Sequence, residues 1–156
     1  MHESTATLRI ESASAASEDA RRLIAALDAY LDSLYPPEEN YLLDIEALCQ
    51  PEVSFMLARL GDEAIGCGAI VAHANYAEVK RMFVLPTARG QGIAGQIVTA
   101  LESAARTRGL THLRLETGTL MPDAQKLYAR CGFAVCGPFG EYVDNGASVF
   151  MEKRLG

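Results

Sequence analysis

The chain has 156 residues, of which 49% are hydrophobic, and its formal net charge is −6. This length and apolar content suffice for one globular domain with a buried core, so we expect a single domain over residues 1–156. No apolar run approaches the roughly 18 residues of a membrane-spanning helix, no secretory signal is visible, and no cluster of basic residues suits nucleic acid, so we expect a cytoplasmic protein without membrane or nucleic-acid partners.

Apolar periodicity and the positions of proline and glycine predict the order of helices and strands. In chain order they are a strand over 7–10, helices over 17–35 and 41–48, strands over 53–60, 64–72 and 78–85, a helix over 92–108, a strand over 111–117, a helix over 123–130, and strands over 133–136 and 148–152. This mixed order predicts an α+β fold, with helices on both faces of a largely antiparallel sheet.

The central stretch, residues 78–95, reads EVKRMFVLPTARGQGIAG. Its β-branched and aromatic first half predicts a strand that Pro86 ends, because proline cannot donate a ladder hydrogen bond. Glycines at 90, 92 and 95 then lead into a helix. Glycine lets backbone N–H groups approach a ligand closely, and the helix N-terminus adds a partial positive charge, so the stretch predicts a pyrophosphate site.

Two kinds of protein carry such a loop. Gly90, Gly92 and Gly95 fit the dinucleotide fingerprint G-x-G-x-x-G, and Glu116 lies about 20 residues further on, where an acid would bind a ribose of NAD. However, residues 85–89 separate the strand from the first glycine, whereas the fingerprint follows its strand almost directly. The chain also leaves too little length for a dinucleotide sheet and a substrate domain, so NAD is the less favoured ligand.

Two signatures instead resemble the GCN5-related N-acetyltransferase superfamily. Arg89, Gly92 and Ala94 match its acetyl-CoA motif Gln/Arg-x-x-Gly-x-Gly/Ala. About 40 residues later, Leu127-Tyr128 and Cys131-Gly132-Phe133 match its motif Leu-Tyr-x-x-x-Gly-Phe. The resemblance covers roughly residues 63–155, and the tail is similar to a subgroup of small bacterial acetyltransferases.

The resemblance implies a three-layer α+β fold in which the strand before the glycine loop and the strand after its helix run parallel and splay apart. It implies acetyl-CoA as co-substrate and a primary amine of a small molecule, an amino acid or a peptide as acceptor, attacked directly in a ternary complex. It also implies that segment 36–40 helps to shape the acceptor site, and it allows a homodimer. A non-catalytic acyl-CoA-sensing module is the alternative of another class.

The same resemblance assigns the donor site. Its expected members are Met82, Phe83 and Val84 along the strand, Arg89, Gly90, Gln91, Gly92, Ile93, Ala94 and Gly95 in the loop, and Thr117 and Tyr128 across the cleft. The family often has an asparagine that touches the cofactor where this chain has Met121, so backbone groups or threonines are expected to replace that contact.

Transfer to an amine needs an acid for the departing thiolate and a route for the amine proton. The resemblance assigns the acid to Tyr128. For the base, Glu116, Glu78 and an ordered water remain open, and Tyr142 and Glu141 are expected near the acceptor. The four cysteines have no paired spacing and the three histidines are scattered, so neither a metal site nor a covalent cysteine intermediate is expected.

Overall fold

A computed structural model describes residues 7–35 and 44–156. The segment 36–40, expected to shape the acceptor site, and residues 41–43 of the predicted second helix lie outside the described residues. None of the helices within the described ranges is long and apolar enough to cross a membrane.

The described elements confirm the predicted α+β class. They are β1 (Leu8–Ser12), α1 (Glu18–Leu34), α2 (Ile45–Leu48), β2 (Val53–Leu60), β3 (Glu63–Ala72), β4 (Ala77–Val84), a 3₁₀ turn (Pro86–Ala88), α3 (Ile93–Thr107), β5 (His112–Gly118), α4 (Pro122–Arg130), β6 (Ala134–Cys136) and β7 (Ser148–Arg154). Most predicted bounds differ from these by one or two residues, and two of the differences have a clear physical reason. Phe133 stays outside β6 because its N–H donates to the Tyr128 carbonyl at 2.9 Å, and β7 reaches Arg154 because it pairs along β5 as far as His112.

Within the described ranges, the strands form one seven-stranded sheet in the order β1-β2-β3-β4-β5-β7-β6. Strands β4 and β5 are parallel, and the neighbouring pairs on either side of them are antiparallel. The parallel ladder is short: it runs only from the pair Ala77–Leu113 to the pair Val79–Leu115. Because β4 continues to Val84 and β5 to Gly118, the two strands part and open a wedge in the middle of the sheet.

Helices cover both faces of the sheet, as predicted. Side chains of α1 pack with alternate residues of β2 and β3 on one face: Leu23, Leu27, Phe55, Leu57 and Ala69. Side chains of α3 pack with the intervening residues and with β5 on the other face: Ile97, Leu101, Ile70, Leu113 and Leu115. The sheet therefore separates two apolar cores, and the wedge connects one face with the other.

A bulge in β4 lies at the edge of this wedge. Arg81 has a left-handed backbone (φ 59°), and the register with β3 skips one residue between the pairs Cys67–Phe83 and Ala69–Lys80. Gly68 lies opposite the bulge, where an added Cβ would come within 2.6 Å of Met82 Sδ. The buried Arg81 side chain forms an ion pair with Asp28 of α1, so helix and bulge are tied together.

Candidate active site

A cavity of about 370 Å³ lies along β4 beyond its ladder with β5, and neither Glu78 nor Glu116 is among the residues that line it. Its walls come from β4, the glycine loop, α4 and α1, and include Met82, Phe83, Val84, Arg89, Gly90, Ala94, Asp123, Tyr128, Leu27 and Tyr30. Seven of these ten residues were predicted for the donor site. The exposed side chains of Tyr30 and Leu120 add an apolar rim on the side of α1.

The glycine loop presents open backbone donors at one end of this cavity. Gly90 and Gly92 have φ of 80° and 75°, and no atom lies within 4 Å of a Cβ added at either one. The N–H of Gln96 donates to the Gly92 carbonyl at 3.2 Å and is the first intrahelical donor, so the N–H groups of Ile93, Ala94 and Gly95 before it have no intrahelical acceptor. Such an open, donor-rich helix N-terminus fits the diphosphate of a coenzyme A molecule.

Arg89 stands beside this end of the cavity. Its Nε donates to the Val84 carbonyl at 3.0 Å, and its guanidinium lies 5.8 Å from the centre of the Phe83 ring. These contacts fix the stem of the side chain against β4 and place a cation at the mouth of the cavity, where it would attract a phosphate.

The other predicted donor residues lie beside the cavity rather than in its walls. Ile93 buries its side chain in the core, so only its backbone is available to a ligand. Thr117 is buried on β5, with Oγ1 4.0 Å from Met121 Sδ. Gln91, Gly92 and Gly95 belong to the loop and the first turn of α3. Their roles stay predictions.

Tyr128 closes the inner end of the cavity. It lies on α4, is 7% exposed, and its ring meets Phe133 edge to face at 5.7 Å. Burial raises the pKa of the phenol, and the neighbouring Cys131 and Glu116 raise it further. A proton donor therefore faces the cavity at any pH near neutrality.

Glu116 lies on β5 at the point where the strands part. Ser148 Oγ of β7 donates to its Oε2 at 2.8 Å. Burial raises the pKa of the carboxyl, while the Ser148 hydrogen bond and the charge of Lys80 lower it and Glu78 raises it again. Glu116 is thus a partly desolvated carboxylate whose charge also acts on Tyr128.

Glu78 was predicted, like Glu116, as a candidate for the base, but its surroundings differ from those of Glu116. It is 6% exposed, and both of its oxygens are engaged. Oε1 lies 3.1 Å from His73 Nε2, whereas Oε2 accepts from Tyr142 Oη and lies 3.3 Å from Lys80 Nζ. Lys80 Nζ also donates to Tyr142 Oη at 2.5 Å. The network ties β4 to the loop between β6 and β7.

That loop, residues 137–147, packs on the sheet through an aromatic cluster. Phe139 is buried and contacts Tyr76, Tyr142 and Phe150, with ring centres 5.6, 5.1 and 5.8 Å away. The Arg114 guanidinium lies 5.3 Å from the Tyr76 ring centre. Tyr142 is thereby held beside Glu78, whereas Glu141 is exposed, and the acceptor-side role expected of both stays a prediction.

The sequence did not reveal several members of the site. Lys80 shares a side of β4 with Glu78, and this alternation was the available signal. Nothing in the sequence around Gly118 indicated that this residue contributes to the site. A Cβ added there would lie 1.8 Å from Tyr35 Oη. The same Oη accepts a hydrogen bond from the Leu120 N–H at 2.8 Å. The glycine therefore lets the end of α1 dock against the wedge.

Known proteins resemble this chain in both sequence and fold. A family model described as "Acetyltransferase (GNAT) family" matches residues 20–133. An IAA acetyltransferase from Azospirillum brasilense is 47% identical over 136 residues, which cover 86% of this chain and 89% of that protein.

Solved structures agree with this match. A Klebsiella pneumoniae protein assigned to the acyl-CoA N-acyltransferases superposes with a TM-score of 0.82 at 35% identity, covering 96% of this chain and 98% of its own. A GNAT family acetyltransferase from Elizabethkingia anophelis with acetyl-CoA bound superposes with a TM-score of 0.67 at 19% identity, covering 95% and 98%. The latter likeness concerns the fold alone.

Proposed function

The chain belongs to the GNAT acetyltransferase family and is an N-acetyltransferase, and from this premise we propose that it transfers an acetyl group from acetyl-CoA to an amine inside the β4–β5 wedge. The observation that carries the proposal is that one cavity joins the open helix N-terminus to the Tyr128 side chain. The proposed acceptor is a primary amine of a small molecule, an amino acid or a peptide.

The groups along the cavity define the direction in which we propose that the donor binds. The backbone donors at the start of α3 and the cation of Arg89 suit the diphosphate. Beyond Val79, β4 has no ladder partner in β5, so the backbone of Met82 to Val84, apart from the Val84 carbonyl that accepts from Arg89, is available to the amides of pantetheine as to an added strand. This arrangement would direct the thioester toward Tyr128 and Glu116.

The proposed chemistry uses two groups with different tasks. An alkylammonium acceptor must lose two protons in becoming an amide, because the free amine attacks and the attacking nitrogen then sheds a second proton. One proton ends on the coenzyme A thiol and the other leaves the site. Tyr128 protonates the departing sulfur and is reprotonated by one of the two protons that the acceptor nitrogen loses. Glu116 takes the other proton, since Ser148 donates to one of its oxygens whereas both oxygens of Glu78 have partners.

A thermal-shift titration with acetyl-CoA, CoA and NAD tests the donor site. A ligand that binds only the folded state stabilises it by about 2.7 kcal/mol at 100 times its Kd. We expect dose-dependent shifts with acetyl-CoA and CoA and none with NAD. Release of CoA thiol is then followed with a panel of 2-phenylethylamine, spermidine, aminomethylphosphonate and the L-amino acids. No shift with either CoA species would contradict the proposal.

Gly92→Ala should weaken acetyl-CoA binding about tenfold. The left-handed backbone at Gly92 costs a residue with a Cβ roughly 1–2 kcal/mol, and relaxation of that strain would turn the loop donors away from the diphosphate. The matched control is Gly109→Ala at the other end of α3, where φ is 76° and space is equally open. Calorimetric titration should show weaker binding for the first variant only; equal affinities would contradict a diphosphate site at this loop.

Ser148→Ala should shift the acid limb of the pH–rate profile to higher pH. The Ser148 hydrogen bond lowers the pKa of Glu116, so its loss raises a pKa that burial has already raised. A base acts only when ionised, and activity therefore disappears at a higher pH in the variant as pH falls. The limb is measured as kcat against pH, and an unmoved limb would exclude Glu116 as the base.

A further inference from the structure

We propose that Tyr142, Glu78 and His73 form a relay that carries the proton released by the acceptor amine from the wedge to solvent. We call these three residues the proton relay. The inference rests on the proposed acetyl transfer, and it assigns Glu78 a role different from that of the direct base.

The outer half of the relay reaches the surface. The Glu78 side chain is 7% exposed and the His73 side chain 38% exposed, and the two lie 3.1 Å apart between Oε1 and Nε2. The Tyr76 ring stacks on the imidazole with 4.6 Å between ring centres, which fixes the histidine over the carboxylate. A buried carboxylate thus has an imidazole between itself and water.

The inner half of the relay faces the proposed base. Tyr142 Oη donates to Glu78 Oε2 and accepts from Lys80 Nζ at 2.5 Å. Glu116 lies opposite Phe150 in the β5–β7 ladder, and the Phe150 ring centre is 5.6 Å from that of Tyr142. Lys80 Nζ lies 5.2 Å from the centre of the same Tyr142 ring, so the relay begins beside the proposed base. Burial raises the pKa of the Tyr142 phenol, as do Glu78 and Glu116, and the hydroxyl therefore remains available as a donor.

The proposed reaction releases a proton in the cleft, and the relay provides a route by which this proton reaches solvent. One of the two protons lost by the acceptor is not taken up by the thiol and has to leave a cleft whose carboxylates are desolvated. Glu116 gives up the proton that it took from the amine, and Tyr142 takes it on Oη while its own proton passes to Glu78. Glu78 then passes a proton to His73 in the tautomer whose Nε2 accepts, and Nδ1 of the same ring releases its proton to water. Proton exchange with water at the exposed imidazole restores that tautomer, so each member ends the cycle in its starting state.

Other charged and titratable groups surround the relay. Those facing it are Lys80 on β4, Arg114 and Glu116 on β5, and Tyr76 ahead of β4. Lys80 balances the charge of Glu78, and Arg114 lies over the far face of the aromatic cluster. His73 is the relay member with an exposed side chain at the outer end.

The test compares His73→Ala with His112→Ala, using the panel amine that gives the fastest thiol release by the wild-type protein. His112 is a matched control because its Nε2 also lies against a carboxylate, 2.7 Å from Glu152 Oε1, at the far end of β5. We expect His73→Ala to lower kcat about tenfold, less than the roughly 10²–10⁴ of a direct acid or base, with the KM for acetyl-CoA unchanged. Added imidazole should restore a large part of that kcat.

The control should keep a kcat within about twofold of the wild type and should not respond to imidazole. An unchanged kcat in His73→Ala, or a loss that imidazole does not restore, would overturn the relay and leave His73 a structural partner of Glu78. If the wild-type protein releases thiol with no panel amine, the failure lies with the proposed acetyl transfer, and the relay falls with it.

Discussion

Tyr128→Phe should lower kcat about 10²-fold while leaving the affinity for acetyl-CoA unchanged. The phenol is buried, lines the cavity and makes no hydrogen bond to another side chain or backbone group within residues 7–35 and 44–156. Its hydroxyl is therefore available to the departing sulfur, and a lost general acid typically costs about 10²–10⁴ in rate. Thiol release gives kcat, and calorimetry gives the affinity.

The burial of Tyr128 also determines the pH dependence that we expect for protonation of the departing sulfur. Because the pKa of Tyr128 is raised above its ordinary value of about 10, the donor form is present throughout the neutral and mildly alkaline range. We expect no alkaline limb from Tyr128 below pH of about 10. Tyr35→Phe, which also removes a buried phenolic hydroxyl, should lower stability by about 1 kcal/mol and leave kcat within a few-fold. Equal kcat in wild type and Tyr128→Phe would exclude the acid role.

Glu116→Gln should lower kcat about 10²- to 10³-fold without loss of fold. The amide keeps the shape of the side chain and an oxygen to accept from Ser148, but it cannot take a proton. The thermal midpoint distinguishes the chemical effect from a structural one. Wild type and variant are compared at neutral pH.

The expected direction of the stability change follows from the pKa of Glu116. The pKa of Glu116 in the folded state is raised above its ordinary value of 4.5, so between those two values the folded state binds more protons than the unfolded state. Ionisation of Glu116 therefore costs stability as pH rises through that window, and the neutral glutamine removes the cost. We expect an equal or higher midpoint in the variant; an inactive variant with a clearly lower midpoint would point to a structural role.

The sequence predicted much of the fold because its signals are local. Apolar periodicity located the helices and strands within a few residues, and Pro86 with the following glycines marked the end of β4 and the start of α3. The separation of β4 and β5 was predicted only from the family resemblance, because the sequence of neither strand indicates where the hydrogen-bonded ladder between them ends. The short run of paired residues from Ala77 to Val79 agrees with that expectation.

The site was predicted less completely because its contacts are distant in sequence. Tyr142 and Glu78 are 64 positions apart, and Ser148 and Glu116 are 32 positions apart. These pairs meet because β7 lies between β5 and β6, an order that periodicity does not reveal. Glu78 and Glu116 appeared equivalent at their strands, and only their partners distinguish them.

In the proposed mechanism, an amine attacks acetyl-CoA directly while both are bound in the wedge. Initial rates of thiol release, with acetyl-CoA and the acceptor amine both varied, distinguish this mechanism from one with an acetylated enzyme. We expect intersecting double-reciprocal lines, because the two substrates must be present together, and no acetyl group on the protein by mass spectrometry. Parallel lines with an acetyl group on Cys131, the cysteine next to α4, would contradict it.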